Sequence, residues 1–379
     1  MQVADRAKSL PTSRTLEINA LAQKLRSQGV DVVNMTAGEP DFPTPQPVIE
    51  AAINALNNGK TKYTAAAGIP ELRQKIAERV QQRYQVKCSA KQVVLTNGGK
   101  QALFNAVASV ISSGDEVLLI SPCWVSYEPQ VALMGGVVKY VKTSIEENFL
   151  PRAQDVAEAV TPKTKAIIVN SPNNPTGAVY GKKTLQSIAS IAFRNNMIII
   201  SDEVYDSLVY DGEYTSLYGL CRGENVILIN AFSKSHAMTG WRVGYLVAPE
   251  EIAECVSKIQ AHSTSNVCTM SQYAALAALD TDTSYMKEKF RKRRDFVAQE
   301  LSKMNLTFSM PRGAFYFLID VRSATQNDTE FCMKLLRKSH VALVPGSAFN
   351  ALGYVRLSFA LDEDSLKKGL ERLKAFLGG

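Results

Sequence analysis

Residues 226–244 read VILINAFSKSHAMTGWRVG, an apolar run that ends among small and hydroxyl residues around one lysine. The run VILIN (226–230) is apolar at consecutive positions. Such a run fits a strand covered on both faces better than one with a wet side. Lys234 stands four residues past its end. Solubility is a poor reason for an amine there, whereas Schiff-base formation with a carbonyl is a good one. Arg242 lies eight residues on, and its fixed guanidinium suits an anion such as phosphate. A lone Ser-Lys after a strand is ordinarily a surface lysine, so the assignment depends on what accompanies it.

Similar runs recur on either side: QVVLT (92–96), EVLLIS (116–121), AIIVN (166–170), MIIIS (197–201) and VGYLVA (243–248). Helical patterns separate many of them. Ala102, Leu103, Ala106, Val107 and Val110 form one stripe, and Leu72, Ile76 and Val80 another after Pro70, which suits a first helical turn. This alternation predicts an α/β fold with a mostly parallel sheet between helices. A helix is also expected over 16–28, with Ile18, Leu21, Ala22 and Leu25 inward and Gly29 as its stop. The prolines of TAGEPDFPTPQP (36–47) then require an extended, non-helical crossing.

From about residue 285 a charged helix leads into LTFSM, AFYFLID, VALVP and VRLSFA, the pattern of a smaller α+β unit. The expected division is 1–45, an N-terminal segment packing on the small domain; 46–284, the large cofactor-binding domain; and 285–379, the small domain.

The 379 residues are 46% apolar and 21% charged, ordinary for a soluble enzyme with a self-sufficient core. Six scattered cysteines without a CxxC pair fit a reducing compartment. Three unclustered histidines give no basis for a metal site. The net charge of +7 is mild, and the basic run KEKFRKRRDF (287–296) mixes in acids and apolar residues at helical spacing, as a solvated helix face does. No nucleic-acid or membrane partner is expected, and the location expected is cytoplasmic.

In open parallel sheets, ligands gather beyond the carboxyl ends of the strands. Polar residues concentrate there in this chain. QVVLT is followed by Gly98, Gly99 and Lys100, a glycine turn opening a helix whose free N–H groups suit a phosphate. AIIVN is followed by SPNNPTG, a rigid turn that presents Asn174. MIIIS is followed by Asp202 and then Tyr205. A carboxylate at a buried strand end needs cations or several donors, unless it merely caps a helix. Trp124, after EVLLIS, offers a stacking face or simply a core indole. These groups fit pyridoxal 5'-phosphate. Its aldehyde needs an amine (Lys234), its ring nitrogen a carboxylate (Asp202), its phenolic oxygen donors (Tyr205, Asn174), and its phosphate an anion cup (Gly98, Gly99, Ser233, Arg242).

The motifs TAGEPDFPTP, GKTKYT, GGKQALFNA, SPNNPTGAVY, SDEVYDSLVY, SKSHAMTGWRVGY, GAFY, VPGSAF and VRLSFA follow in order along nearly the whole chain. With them the chain resembles the class I aminotransferases of fold type I, in the bacterial branch of aspartate and prephenate aminotransferases. The resemblance implies a seven-stranded large sheet. It makes Lys234 the Schiff-base lysine and proton carrier, Asp202 the ring-nitrogen partner, and Tyr205 and Asn174 the ligands of the phenolic oxygen. Arg356 would clamp the substrate α-carboxylate, a task suited to a guanidinium fork, with Gly38, Asn174 and Trp124 beside it. Tyr63 would reach the phosphate of a neighbouring subunit, which implies a homodimer with shared sites. Lys100 would face the distal carboxylate of a dicarboxylic substrate, with Ser13 and Thr15 completing that pocket. Ala231 replaces the Gly or Ser usual two residues before the serine of the SK pair, and His236 is expected only to pack.

The expected activity is ping-pong transfer of an amino group from aspartate or glutamate to a 2-oxo acid, 2-oxoglutarate or oxaloacetate. A prephenate/arogenate or aromatic aminotransferase is the alternative. A carbon–sulfur lyase on the same scaffold ranks below both. A regulatory descendant would carry an added nucleic-acid-binding domain, and GGK has the spacing of neither a P-loop nor a GxGxxG turn.

Overall fold

A computed structural model describes residues 3–8, 10 and 14–378. The first long helix, Arg14–Ser27, buries Ile18 and Ala22 and half-buries Leu21 and Leu25. Gly29 then takes φ +85°, a left-handed turn that glycine adopts without strain. A two-residue strand follows, β1 (Val33–Asn34).

The large sheet is built from β2 (Val93–Thr96), β3 (Glu116–Ser121), β4 (Val137–Lys142), β5 (Thr164–Asn170), β6 (Ile198–Asp202), β7 (Val226–Ala231) and β8 (Gly244–Val247). Their order is β2-β8-β7-β6-β5-β3-β4. The pairings from β7 to β4 are all parallel, and β8 alone runs antiparallel to its neighbours β2 and β7. Every residue of β2, β3 and β7 is buried, as their unbroken apolar runs predict. Two apolar clusters, one containing Leu95, Leu118, Ile167 and Leu228 and the other Val94, Val117, Ile168 and Ile229, take alternate residues of the same strands and so cover opposite faces.

The C-terminal part adds β9 (Thr307–Phe308), β10 (Tyr316–Asp320), β11 (Val341–Ala342), β12 (Val344–Pro345) and β13 (Tyr354–Ser358). Four of these form an antiparallel sheet in the order β12-β13-β10-β9, while β11 pairs in parallel with β1. A third apolar cluster joins Ile18, Ala22, Val33 and Met35 to Phe290, Phe317, Leu335 and Leu370. The N-terminal residues therefore pack with the C-terminal part. No helix among the described residues is long and apolar enough to cross a membrane.

The proline-rich crossing is non-helical as expected, but the next helix, Gln46–Asn57, begins before its last proline. Pro47 fits there because first-turn N–H groups have no helical acceptor to lose. The crossing is fastened to the long helix Ser284–Lys303. Arg293 donates to both carboxylate oxygens of Asp41 at 2.6 and 2.9 Å, and the Phe42 ring lies 5.1 Å from its guanidinium. The Arg293 side chain is only 7% exposed. Asp41→Ala strands a buried cation and is expected to lower stability by about 3 kcal/mol. A urea midpoint equal to the parent's rules out this fastening.

Candidate active site

The register of the parallel strands sets the site. Asn170, the last residue of β5, lies opposite Asp202, the last of β6, and Asp202 lies opposite Ile229 of β7. Three chain segments therefore leave the sheet side by side, carrying Asn174, Asp202 with Tyr205, and Lys234. They open on a cavity of about 390 Å³. Of the residues selected from sequence, Gly38, Gly99, Lys100, Trp124, Asn174, Asp202, Tyr205, Ser233, Lys234, Arg242 and Arg356 line it.

Asp202 is buried and held by neutral donors. The Tyr127 hydroxyl donates to it at 2.7 Å, the Val204 N–H at 3.3 Å, and the Asn170 amide donates to its backbone carbonyl at 3.0 Å. Burial nonetheless pushes its carboxyl up to about 6, against the hydrogen bond from Tyr127. Glu203 does not line the cavity. It takes the hydroxyls of Ser201 and Ser216, each at 2.8 Å, and of Tyr214 at 2.5 Å. Successive strand side chains alternate in direction, so only one of two adjacent carboxylates serves the site.

Lys234 sits in the short helix Phe232–Ser235 directly after β7 and donates to the Gly38 carbonyl. Burial lowers its amine to about 8, against the carboxylate of Glu39. Glu39 also lines the cavity and accepts the Thr239 hydroxyl at 2.7 Å. His236 is buried, shares a hydrogen bond of 2.7 Å with the Ser235 hydroxyl, and packs against Phe232. Burial depresses its imidazole to about 4, leaving it a neutral packing group.

Opposite the lysine lies Arg356 of β13, 4% exposed. It donates to Asn174 Oδ1 at 2.9 Å and to the Thr36 carbonyl at 2.8 Å. Its Nε is buried without a hydrogen-bond partner. Rings of Tyr316 and Phe349 lie 4.4 and 4.8 Å from the guanidinium.

Gly98 does not itself line the cavity but precedes lining Gly99, taking φ +80° at the start of the helix Gly99–Val110. A Cβ there would stand 2.6 Å from an Arg242 nitrogen at the end of a flexible side chain, so it is the positive φ that calls for glycine. Arg242 donates to the carbonyls of Thr239 at 2.8 Å and Asn97 at 3.2 Å. Lys100 Nζ lies 4.9 Å from the Trp124 ring, and burial together with Arg242 lowers its pKa.

Tyr63 is 89% exposed and does not line the cavity of its own chain. Ser13 lies outside the described residues, as does the side chain of Thr15. Sequence reasoning passed over Tyr127, Asn170, Glu39, Tyr316 and Phe349. Tyr127 had a signal, standing three residues after Trp124 at the same strand end. Tyr316 and Phe349 lie inside GAFY and VPGSAF but give no local sign of facing Arg356.

The family described as "Aminotransferase class I and II" matches residues 30–373. The aspartate aminotransferase of Thermotoga maritima is 50% identical over 376 residues, 99% of each chain. Its crystal structure superposes with a TM-score of 0.97 over the full length of both. The aspartate/prephenate aminotransferase of Thermus thermophilus is 43% identical, covering 98% of each chain. A Thermus thermophilus aspartate aminotransferase solved with maleate is 42% identical, with a TM-score of 0.96 over 99% of each chain. With a family match spanning all three sheets and full-length relatives at such identity, the chain belongs to the class I and II aminotransferases.

Proposed function

We propose that this aminotransferase uses pyridoxal 5'-phosphate to move the amino group of aspartate or glutamate to 2-oxoglutarate or oxaloacetate. The observation that carries the reading is the convergence on one cavity of the Lys234 amine, the buried Asp202 carboxylate and the Arg356 guanidinium.

The residues suit the cofactor. Asp202 is a buried carboxylate with neutral donors, and a protonated ring nitrogen beside it would supply the cation that burial calls for. Tyr205 and Asn174 offer a hydroxyl and an amide to the phenolic oxygen. The Gly98–Gly99 turn, Ser233 and Arg242 form a cup with the positive helix end, which suits a phosphate. When bound, the cofactor supplies an aldehyde carbon that exchanges amines and a ring that accepts electrons.

The chain's own part is anchoring, orientation and proton transfer. Arg356 binds the substrate α-carboxylate beside Asn174, and Gly38 closes the same end. Lys234 Nζ is the amine that would hold the cofactor's aldehyde carbon, and as a free amine it would take the proton from the substrate Cα as general base. Lys100 meets the distal carboxylate, with Trp124 below its ammonium. A relative bound to maleate, itself a dicarboxylate, supports this preference. Prephenate also carries a second carboxylate, and relatives named aspartate/prephenate aminotransferase keep it as the alternative substrate.

We further read residues 46–284 as the large domain and 285–379, with 1–45 packed on it, as the small one. Exposed Tyr63 supports a homodimer in which it reaches the partner's phosphate. Six free cysteines support a reducing, cytoplasmic location.

Only the neutral amine attacks a carbonyl, so in cofactor-free protein borohydride trapping of pyridoxal 5'-phosphate on Lys234 should rise through pH 8. An ordinary lysine would rise near pH ~10.4. Lys234→Ala should lose turnover by about a thousandfold; full turnover in that variant ends the mechanism. Loaded enzyme mixed with L-aspartate or L-glutamate, without an oxo acid, should exchange its visible band for that of the amine form, while L-alanine should not. Lys100→Gln should erase that difference. Conversion by alanine alone keeps the enzyme class and removes the dicarboxylate preference. For the dimer, sedimentation should give a mass of two chains, and Tyr63→Phe should lose cofactor faster on dialysis; a monomer with full retention rejects shared sites.

A further inference from the structure

Tyr316 lines the cavity, yet none of the tasks above falls to it. It is the first residue of β10 and is 1% exposed. β10 and β13 are antiparallel with Tyr316 opposite Ser358 and Leu318 opposite Arg356. Tyr316 and Arg356 are therefore diagonal neighbours on one face of the small sheet. The Tyr316 ring centroid lies 4.4 Å from the Arg356 guanidinium carbon, within cation–π range. Its hydroxyl lies 2.9 Å from the hydroxyl of Tyr205, which belongs to the large sheet's side of the cavity. The two rings meet edge to face at 6.0 Å. A side chain at Gly38 would stand 3.4 Å from the Tyr316 oxygen, so the N-terminal crossing closes over this pair.

Two phenols at this distance share one hydrogen bond, in which one donates and the other accepts. Burial lifts the Tyr205 phenol well above its usual range. Burial raises Tyr316 too, and the Arg356 cation works against the rise in both phenols. In the reading above Tyr205 gives its own proton to the phenolic oxygen, which leaves Tyr316 to supply the hydrogen of the shared bond. The proton of Tyr205 then remains for an acceptor in the cavity.

We propose that Tyr316 is a positioning residue that ties the carboxylate clamp to the cofactor's phenolic oxygen: its ring steadies Arg356, and its hydroxyl donates to Tyr205. The proposal rests on the cofactor reading above. A hydrogen bond into the Tyr205 oxygen polarises its O–H and strengthens the bond that Tyr205 gives. That favours a negative phenolic oxygen, and so the state that has lost its proton.

The test uses the full chain loaded with pyridoxal 5'-phosphate and follows the pH midpoint of its visible absorbance change. Tyr316→Phe keeps the ring and removes the hydroxyl. The midpoint is expected to rise by roughly a few tenths of a pH unit. In a Tyr205→Phe background the same substitution should move nothing further, because the link is already cut. Tyr316→Leu removes the ring as well and should raise KM for L-aspartate by about tenfold, a larger effect than in Tyr316→Phe. An unmoved midpoint in Tyr316→Phe, or equal shifts with and without Tyr205, overturns the proposal. If Tyr316→Leu does not fold, the Phe comparison in the two backgrounds decides alone. If the unmodified chain shows no visible band at all, the cofactor reading fails first and this one with it. A titrating band that Tyr316→Phe leaves in place sinks only the role of Tyr316.

Discussion

The Asp202 carboxylate, held in the sheet's interior edge without a cation of its own, is the constraint around which the site is organised. A buried charge must find donors, and Tyr127, the Val204 N–H and the alignment of β5 with β6 provide them. That alignment also places Asn170 to hold Asn174, whose N–H donates to Asn170 Oδ1 at 2.8 Å. The carboxylate and the amide beside it are thus fixed by one parallel register. Slipping that register by one residue would send Asp202 to the other face and bring Glu203 to the cavity. Glu203 is matched to a different set of hydroxyls, so the two carboxylates hold the register from both faces.

The second half of the site comes from elements far away in sequence. Arg356 stands on a small antiparallel sheet and donates to Asn174 of the large sheet's edge and to Thr36 of the N-terminal crossing. Three separate parts of the chain meet at that guanidinium. Its neighbours Tyr316 on the small sheet and Phe349 in the turn after β12 cover it with rings rather than with carboxylates. The buried cation thereby keeps room for an anion from outside. Asp41 and Arg293 fasten the crossing to the long helix and so set where Gly38 and Thr36 stand.

Lys234 and Arg242 illustrate how local sequence and tertiary placement divide the work. The short helix after β7 follows from AFSKS leaving a strand end, and it puts the amine above the sheet. The lowered pKa of that amine does not follow from those residues. It arises because the cavity walls desolvate it, more than Glu39 can compensate. Arg242 likewise reaches its place beside the turn at Gly98, whose backbone the side-chain-free Gly244 of β8 approaches closely.

The sequence by itself determined six of the seven strands of the large sheet, because runs such as VILIN and EVLLIS are apolar on both faces and fit no other layer, whereas the edge strand β4 alternates with exposed residues and carries no such run. It also determined the residues placed at strand ends, Asn174, Asp202 and Lys234, since strand alternation and a following turn are local properties. Gly29 and Gly98 were legible for the same reason, as left-handed turns that other residues take only under strain. Tyr127 was half legible, and Tyr316, Phe349, Asn170 and Glu39 were not. Their functional surroundings are contacts between segments that no local pattern encodes. Tyr316 in AFYFLID reads as one more apolar strand residue until β10 pairs with β13 and the small sheet meets the large one. Only the tertiary structure decided which buried polar groups face the cavity and which are satisfied elsewhere, because that depends on the register and packing of distant strands.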